Sequence, residues 1–428
     1  MKDESGACRM KDEYELYDED NLLKDISVSL AEQVNSEIEE IERESGNRVT
    51  ENLGSKSANQ PPVKKKMKTW KKVLISVAST FGVLLLAVVL WAYFLLDKTN
   101  FRNLGKDNVN YQEEEFDEGD TSGKYDEVDP DSITWGQTGD IKKVEGVHNI
   151  LLLAEEKTDG SKRGRTDVIM IATINTLQKS IKLTSIMRDT YVQIPGYLDN
   201  RINTAYRTGD TYLILETVKK NFDVALDGYI LVDFDGFEDI IDALGGVEIT
   251  LTEKEASYLN RTNYISNPAY RNVEAGAQVL NGSQALGYSR IRKVKTADGL
   301  GSDWGRNARQ KTVLSAVFAK YKSSNILDVI GMMDDILSLV TTDLSKTELI
   351  SYATTVLGMG VGEIETFGIP VKKGFTQATI RKMDVLVPDL TVNNEALHNF
   401  IFGTDLTSRI ANEKALAQGE SESGELAE

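Results

Sequence analysis

The chain has 428 residues and a formal net charge of −18, with two histidines (His148 and His398) and one cysteine, Cys8. So few soft ligands exclude an ordinary zinc centre, and the position of Cys8 excludes a cysteine nucleophile anywhere beyond the N-terminal stretch. No G-x-S-x-G elbow and no G-x-x-x-x-G-K-[ST] loop is present, which sets aside the common hydrolase and nucleoside-triphosphatase readings, and no nucleic-acid partner is expected.

Residues 1–72 are polar, acid-rich and poor in aromatics, with a weak helical pattern around Leu22–Ile41. They read as a disordered tail with a basic juxtamembrane end. Val73–Leu96 is free of charge. At about 1.5 Å per residue it is long enough to cross a hydrocarbon core of roughly 30 Å. Trp70, Trp91 and Tyr93 lie near its ends, where amphipathic rings favour the interface. Lys64, Lys65, Lys66, Lys68, Lys71 and Lys72 precede the run. The positive-inside rule therefore predicts a single-pass type II protein of the cell membrane, with its tail cytoplasmic and the rest outside.

Residues 97–140 carry the acidic run Glu113-Glu114-Glu115-Phe116-Asp117-Glu118, then Asp126, Glu127, Asp129 and Asp131. This composition predicts a self-repelling, solvated extracellular linker. From 141 to 403 the composition is that of one large domain. Strands are expected at Asn149–Ala154, Val168–Asn175 and Lys182–Met187, apolar on both faces as in a sheet covered on both sides. Helical periodicity follows at Thr211–Asn221 and Phe234–Ala243. Gly245-Gly246 stops the second helix before a strand at Val247–Leu251. Further helices are expected at Ser283–Tyr288, Arg306–Lys322, Leu327–Leu339 and Lys346–Leu357. The alternation predicts an α/β domain of three α/β/α layers around a central mixed sheet, preceded by one transmembrane helix. Residues 404–428 turn acidic again and read as a loose tail.

The chemistry left to the domain is that of Asp, Glu and Arg. Arginines concentrate at Arg290-Ile291-Arg292 and Arg306-Asn307-Ala308-Arg309-Gln310. An upstream set comprises Arg163, Arg165, Arg188 and Arg201. Such density in an acidic chain points to an anionic ligand, because guanidinium groups grip phosphate oxygens in pairs. Arg306, Arg309 and Gln310 are expected on one face at the start of a helix, with Asp303 as its N-cap. Arg290 and Arg292 are expected to point the same way from an extended segment. Glu155 and Glu156 close the first strand and Asp167 opens the second. If those strands are neighbours, Glu156 and Asp167 converge on one magnesium-type ion, which binds through one or two carboxylates plus ligand phosphates.

The ordered stretches Arg165-Thr-Asp167, Ser185-Ile-Met-Arg-Asp189, Arg201-Ile-Asn-Thr-Ala-Tyr206, Tyr288-Ser-Arg-Ile-Arg292 and Asp303-Trp-Gly-Arg-Asn-Ala-Arg-Gln310 resemble those of the LytR-CpsA-Psr family of Gram-positive cell envelopes. The resemblance implies a phosphotransferase that moves a glycopolymer (wall teichoic acid, capsule or another secondary wall polymer) from an undecaprenyl-pyrophosphate carrier to peptidoglycan. It implies Arg165, Asp167 and Arg188 as catalytic residues and Arg201, Arg290, Arg292, Arg306 and Gln310 as pyrophosphate ligands. Glu156 and Asp167 would hold Mg2+, with Mn2+ or Ca2+ as alternatives, and Asp189, Asp303 and Arg309 are lesser candidates. The lipid tail is expected in an apolar cleft, with Leu213, Val218, Phe237, Ile240, Leu314 and Phe318 divided between cleft and core.

The chain departs from the family pattern twice. Ala154-Glu155-Glu156 stands where Gly-x-Asp is usual, which puts a longer side chain at the metal. Met187 stands where proline is usual, so a looser turn is expected before Arg188. A polyprenyl-pyrophosphate hydrolase and a non-catalytic polyprenyl-phosphate-binding regulator are the competing functions.

Overall fold

A computed structural model describes residues 100–404, apart from 104, 107–108, 114–115, 117–120, 137–138, 140, 157–162 and 324–335. The expected tail at 1–72, the span at 73–96, most of the helix expected at Leu327–Leu339, and nearly all of the C-terminal tail lie outside the described residues. Among those described, no helix is long and apolar enough to cross a membrane.

Fourteen stretches, taken in chain order, build the first two-thirds of the fold. They are β1 (Asn100–Phe101), β2 (Val147–Glu155), β3 (Thr166–Asn175), β4 (Ser180–Ile186), β5 (Tyr191–Val192), β6 (Asn200–Arg201) and α1 (Ile202–Phe222), then β7 (Gly228–Asp233), α2 (Phe234–Ala243), β8 (Val247–Leu251), α3 (Glu253–Arg261), β9 (Gly276–Leu280), α4 (Gly282–Arg290) and α5 (Ser302–Ser323). The chain continues with β10 (Val340–Thr342), α6 (Lys346–Met359), β11 (Ile364–Ile369), β12 (Phe375–Ile380), β13 (Met383–Pro388) and α7 (Leu390–Phe402).

The main sheet has seven strands in the order β1-β10-β7-β2-β3-β4-β11. It is mixed: β2, β3 and β4 run antiparallel in sequence, while β7 joins β2 and β11 joins β4 in parallel. The alternation within β2 assigns its two faces. Leu151 and Leu153 enter a core with Ile202, Leu213, Val218 and Phe222 of α1 and Leu397 and Ile401 of α7. Ile150 and Leu152 pack on the other side with Leu349, Tyr352 and Val356 of α6. Helices thus cover both faces: adjacent side chains of β2 serve opposite layers and side chains two apart serve the same one. Smaller ribbons, β8–β9, β5–β6 and β12–β13, hang from this frame.

Periodicity located most elements to within a few residues, and α2 and β8 begin and end where expected. Gly246 is needed between them: its φ is +84, and a Cβ there would lie 2.6 Å from Val279 and 2.8 Å from the Leu280 carbonyl. The 97–140 segment differs from expectation. It is not simply a solvated linker, because β1 pairs with β10 at the edge of the main sheet, Trp135 stacks on Tyr191, and Phe116, Val128 and Ile133 pack on the β12–β13 hairpin. Apolar residues spaced among the acids, Phe116, Val128, Ile133 and Trp135, are what dock it, each partly buried against the domain.

His398 of α7 is buried, with Nε2 2.9 Å from the Phe222 carbonyl at the end of α1. Burial pushes this imidazole down to about 4. The unfolded chain, with a histidine near pH 6.5, takes up the proton first. Stability from this site should therefore be complete above about pH 6.5 and fall by roughly 3 kcal/mol as the pH drops to about 4. Urea titrations across that window should show the loss in the wild type and not in His398→Gln.

Candidate functional site

The C-terminal ends of β2 and β4, the start of β3, the end of α4 and the first turns of α5 surround a cleft of about 400 Å³. Ligand clefts usually span roughly 300–1,000 Å³. One half is apolar, lined by Leu152, Ile230, Val232, Phe237, Leu286 and Leu314. The other half gathers Arg188, Arg290, Arg292, Arg306 and Gln310 with the carboxylates of Glu156 and Asp167. Of the residues undecided between cleft and core, Phe237 and Leu314 line the cleft, whereas Leu213 and Val218 are core beneath α1.

Asp167 is aimed by a β-bulge. Ala154 pairs with Val168 and Glu155 with Thr166, so Asp167 has no opposite number on β2. The extra residue re-aims its side chain. Thr166, wholly buried, fastens the bulge by donating its hydroxyl to the carbonyls of Ala154 and Val168, at 2.9 and 2.8 Å. Gly164 completes it, since a Cβ there would stand 1.9 Å from the Glu156 carbonyl. The neighbouring Glu156 N–H donates to the Arg165 carbonyl.

Arg188 follows β4 in a tight turn. Its Nη1 donates to Asp167 Oδ1 at 2.8 Å. The turn is not loosened by Met187: its N–H donates to the Ile369 carbonyl at 2.9 Å, a bond proline could not make. Its carbonyl accepts from both the N–H and the hydroxyl of Thr190, and Asn307 Nδ2 reaches its sulfur at 2.8 Å.

Arg306 and Gln310 lie on the cleft side of α5. Arg306 is 3% exposed, 2.7 Å from Asp303 Oδ1 and 3.6 Å from Asp167 Oδ2. Asp303 is inside the helix rather than its N-cap, and its Oδ2 accepts from Arg292 at 2.7 Å. Arg290 ends α4 instead of sitting in an extended segment. It stacks over Phe234 and donates to Glu156 at 3.0 Å. Burial alone would raise the pKa of Asp167, but Arg306 and Arg188 overcome it and hold this carboxyl below the usual range. For Arg188, three surrounding acids outweigh burial and hold the guanidinium well above its ordinary value; Arg306 is lowered by burial.

Three sequence candidates stand apart from the cleft. Arg309 is fully buried on a different side of α5, donating to Glu255 and to the carbonyls of Ile291 and Val294. At 3.6 residues per turn, positions 309 and 310 diverge by about 100°, so the expectation of one shared face fails. Arg201 is buried behind the site, its Nη2 on the Asp384 carbonyl and its Nε 3.7 Å from Asp189. Arg165 is exposed and absent from the lining. Asp189 lies beneath Arg188 at 3.5 Å, and burial raises its pKa. Thr166 and Asn307 were missed: a hydroxyl between two site residues and an amide one residue after an arginine were the only signals.

The donor set bears on a metal. Glu156 and Asp167 line the same cleft, but each engages arginine. Among the described residues, no group of three or more His, Cys, Asp or Glu could hold an ion. Two carboxylates fit a magnesium-type ion only when phosphate oxygens and water complete the shell. Cationic groups for an anion are present too: the guanidinium groups of Arg188, Arg290, Arg292 and Arg306 line the cleft.

A family model described as the LytR_cpsA_psr family matches residues 108–398. The polyisoprenyl-teichoic acid–peptidoglycan teichoic acid transferase TagV of Bacillus subtilis is 30% identical over 305 residues, 70% of this chain and 71% of that protein. TagU of Halalkalibacterium halodurans, of the same description, is 29% identical over 61% of this chain and 78% of its own length. The regulatory protein MsrR of Staphylococcus aureus is 29% identical over 60% and 76%. Among solved structures, TagT bound to LIIa-WTA superposes with a TM-score of 0.50 at 24% identity, over 61% of this chain and 94% of that one. At that identity the likeness bears on the fold alone.

The two arginines of α5 should separate by experiment. Arg309→Ala leaves Glu255 buried without its counter-charge and should cost roughly 3–5 kcal/mol of stability. Urea denaturation measures this loss. The Arg309 variant, at temperatures where it remains folded, should bind pyrophosphate within about twofold of the wild type, since none of its partners lines the cleft.

Proposed function

Because this chain belongs to the LytR-CpsA-Psr family, we propose that it is an envelope transferase moving a glycopolymer from an undecaprenyl-pyrophosphate carrier to peptidoglycan. One observation carries the reading: a single cleft joins an apolar trough to a cluster of four arginines in a chain of net charge −18. Apolar surface suits a polyprenyl chain, and the guanidinium groups suit the pyrophosphate attached to it. The transferase names of TagU and TagV support the same assignment.

In this reading the oxygen of a peptidoglycan hydroxyl attacks the phosphorus that carries the polymer. The bond from that phosphorus to the bridging oxygen breaks, and its electron pair leaves with polyprenyl phosphate. The hydroxyl proton passes to solvent or to the departing phosphate. Arg188 and Arg306 act on the charge that develops on the bridging oxygen, while Arg290 and Arg292 hold the outer phosphate oxygens. Asp167, kept ionised by its arginines, is a weak base, so its task is electrostatic. Glu156 and Asp167 would hold a magnesium-type ion, which when bound neutralises phosphate charge; Mn2+ and Ca2+ are the alternatives. Glu156 would first have to release Arg290. The charge-free run at 73–96 and the lysines before it support anchoring in the cell membrane as a single-pass type II protein, with this domain outside.

Full-length protein in vesicles, given labelled lipid-linked polymer with and without peptidoglycan, tests the function. Transfer should require the acceptor. Release of polymer phosphate without acceptor would assign a hydrolase, and binding without turnover would favour the regulatory role that the name of MsrR suggests. Arg306→Ala should weaken polyprenyl-pyrophosphate binding about tenfold or more, as expected for charge-assisted hydrogen bonds of about 1.5–3 kcal/mol. Asp167→Ala should abolish any chelator-sensitive transfer, and Glu156→Asp should retain it. Full activity of Asp167→Ala in chelator would end the metal assignment.

A further inference from the structure

Away from the cleft, α1 is broken at Gly209 and Asp210, which leave helical geometry. Asp210 takes φ 58 and ψ −161, a conformation disfavoured for a residue with a Cβ and kept only where the surroundings impose it. Those surroundings are ionic. Asp210 is wholly buried, and its Oδ2 lies 2.6 Å from Arg102 Nη2 and 2.8 Å from Arg163 Nη2. Its Oδ1 accepts from the Thr211 N–H where the helix restarts.

The two arginines come from different places. Arg102 follows β1, its N–H on the Thr342 carbonyl and its own carbonyl accepting from the Tyr229 hydroxyl at 2.6 Å. Arg163 lies just before the bulge. Its Nη1 donates to the Arg207 carbonyl at 2.9 Å, one of the groups freed by the helix break, and its Nη2 reaches the Asn110 carbonyl at 3.3 Å. The next residue, Gly164, is the one pressed against Glu156, and its N–H donates to Glu155 Oε1. Asp210 thus stands between the first described residues of the chain and the strand end that aims Glu156 and Asp167. The carboxylate is buried, whereas Arg163 is 11% and Arg102 45% exposed, so Asp210 holds a nearly buried guanidinium and a half-exposed one at a single point, and without it the two like charges would repel.

We propose that Asp210 is a positioning residue: through Arg102 and Arg163 it couples the docking of β1 to the geometry of the Glu156–Asp167 strand end. Its consequence for turnover rests on the transferase reading; its consequence for local order does not. Arg102 touches no cleft residue, so its removal is the informative change, and Asp210 itself need not be altered.

The experiment uses full-length protein in vesicles, as wild type, Arg102→Ala, Arg102→Lys, Arg163→Ala and the double variant Arg102→Ala/Arg163→Ala. Hydrogen exchange should show the amide of Glu156 and its neighbours in 164–167 losing protection by about fivefold or more in both alanine variants, with the centres of β2, β3 and β4 unchanged. Arg102→Lys, which keeps the charge, should recover most of it. Turnover should fall with little change in KM, and the double variant should lose less than the product of the single losses, because both act through one carboxylate. Unchanged protection at Glu156 in Arg102→Ala, or a loss spread evenly over the sheet, would overturn the proposal. A wild type without transfer activity would remove the transferase reading, and the exchange result would still decide this one.

Discussion

Two guanidinium groups repel each other strongly once water is excluded, and Arg188 and Arg306 share this cleft because Asp167 lies between them, 2.8 Å from one and 3.6 Å from the other. The rest of the site follows from that constraint. Asp167 must leave the regular alternation of β3, hence the bulge. The bulge must be fastened where no ladder bond is available, hence the two hydrogen bonds of Thr166. Asp303 repeats the arrangement one turn along, joining Arg306 to Arg292. A lattice of alternating charge lets arginines be held at high local density without unfolding the domain around them.

The same lattice governs what the cleft can bind. Beside an apolar trough, each ion pair is shielded less by water than it would be at an open surface. A phosphate entering the cleft competes with carboxylates already in place, and its gain is the difference between two sets of charge-assisted bonds. The Nε groups of Arg188 and Arg306 make no hydrogen bond among the described residues, but both are buried and that of Arg188 faces Asp189 at 3.5 Å, so they too are reached only by rearrangement. The pair of Arg290 and Glu156 is more exposed, at 36% and 48%. It is therefore the weaker bond and the easier one to open.

The segment between 97 and 140 shows how composition can mislead about a local element. Acids dominate it, yet Asp384 accepts from the Ser122 N–H and the Thr121 hydroxyl, and Arg381 stacks over Phe116 while holding the Tyr191 hydroxyl and the Asp199 carbonyl. The segment wraps the domain and contributes to its edge strand. A family match that begins at residue 108 agrees with counting most of it as domain.

The order of strands and helices, the helix stop at Gly245-Gly246, and the concentration of arginine were legible from the sequence because each is a local property: hydrophobic period, backbone freedom, charge density. That Glu156 and Asp167 meet was conditional on β2 and β3 being neighbours, and the antiparallel pairing of those strands supplies that condition. Which arginines face the cleft was not legible. Arg306 and Arg309 have the same charge and the same helix, and only the neighbours of α5, with the apolar trough on one side and the buried Glu255 on another, separate a ligand-facing group from a structural one. The bulge at Asp167, the docking of β1 and the break at Asp210 were equally hidden. Each depends on partners far along the chain, and a sequence records what a residue can bond to, whereas the tertiary structure decides which of those bonds its position allows.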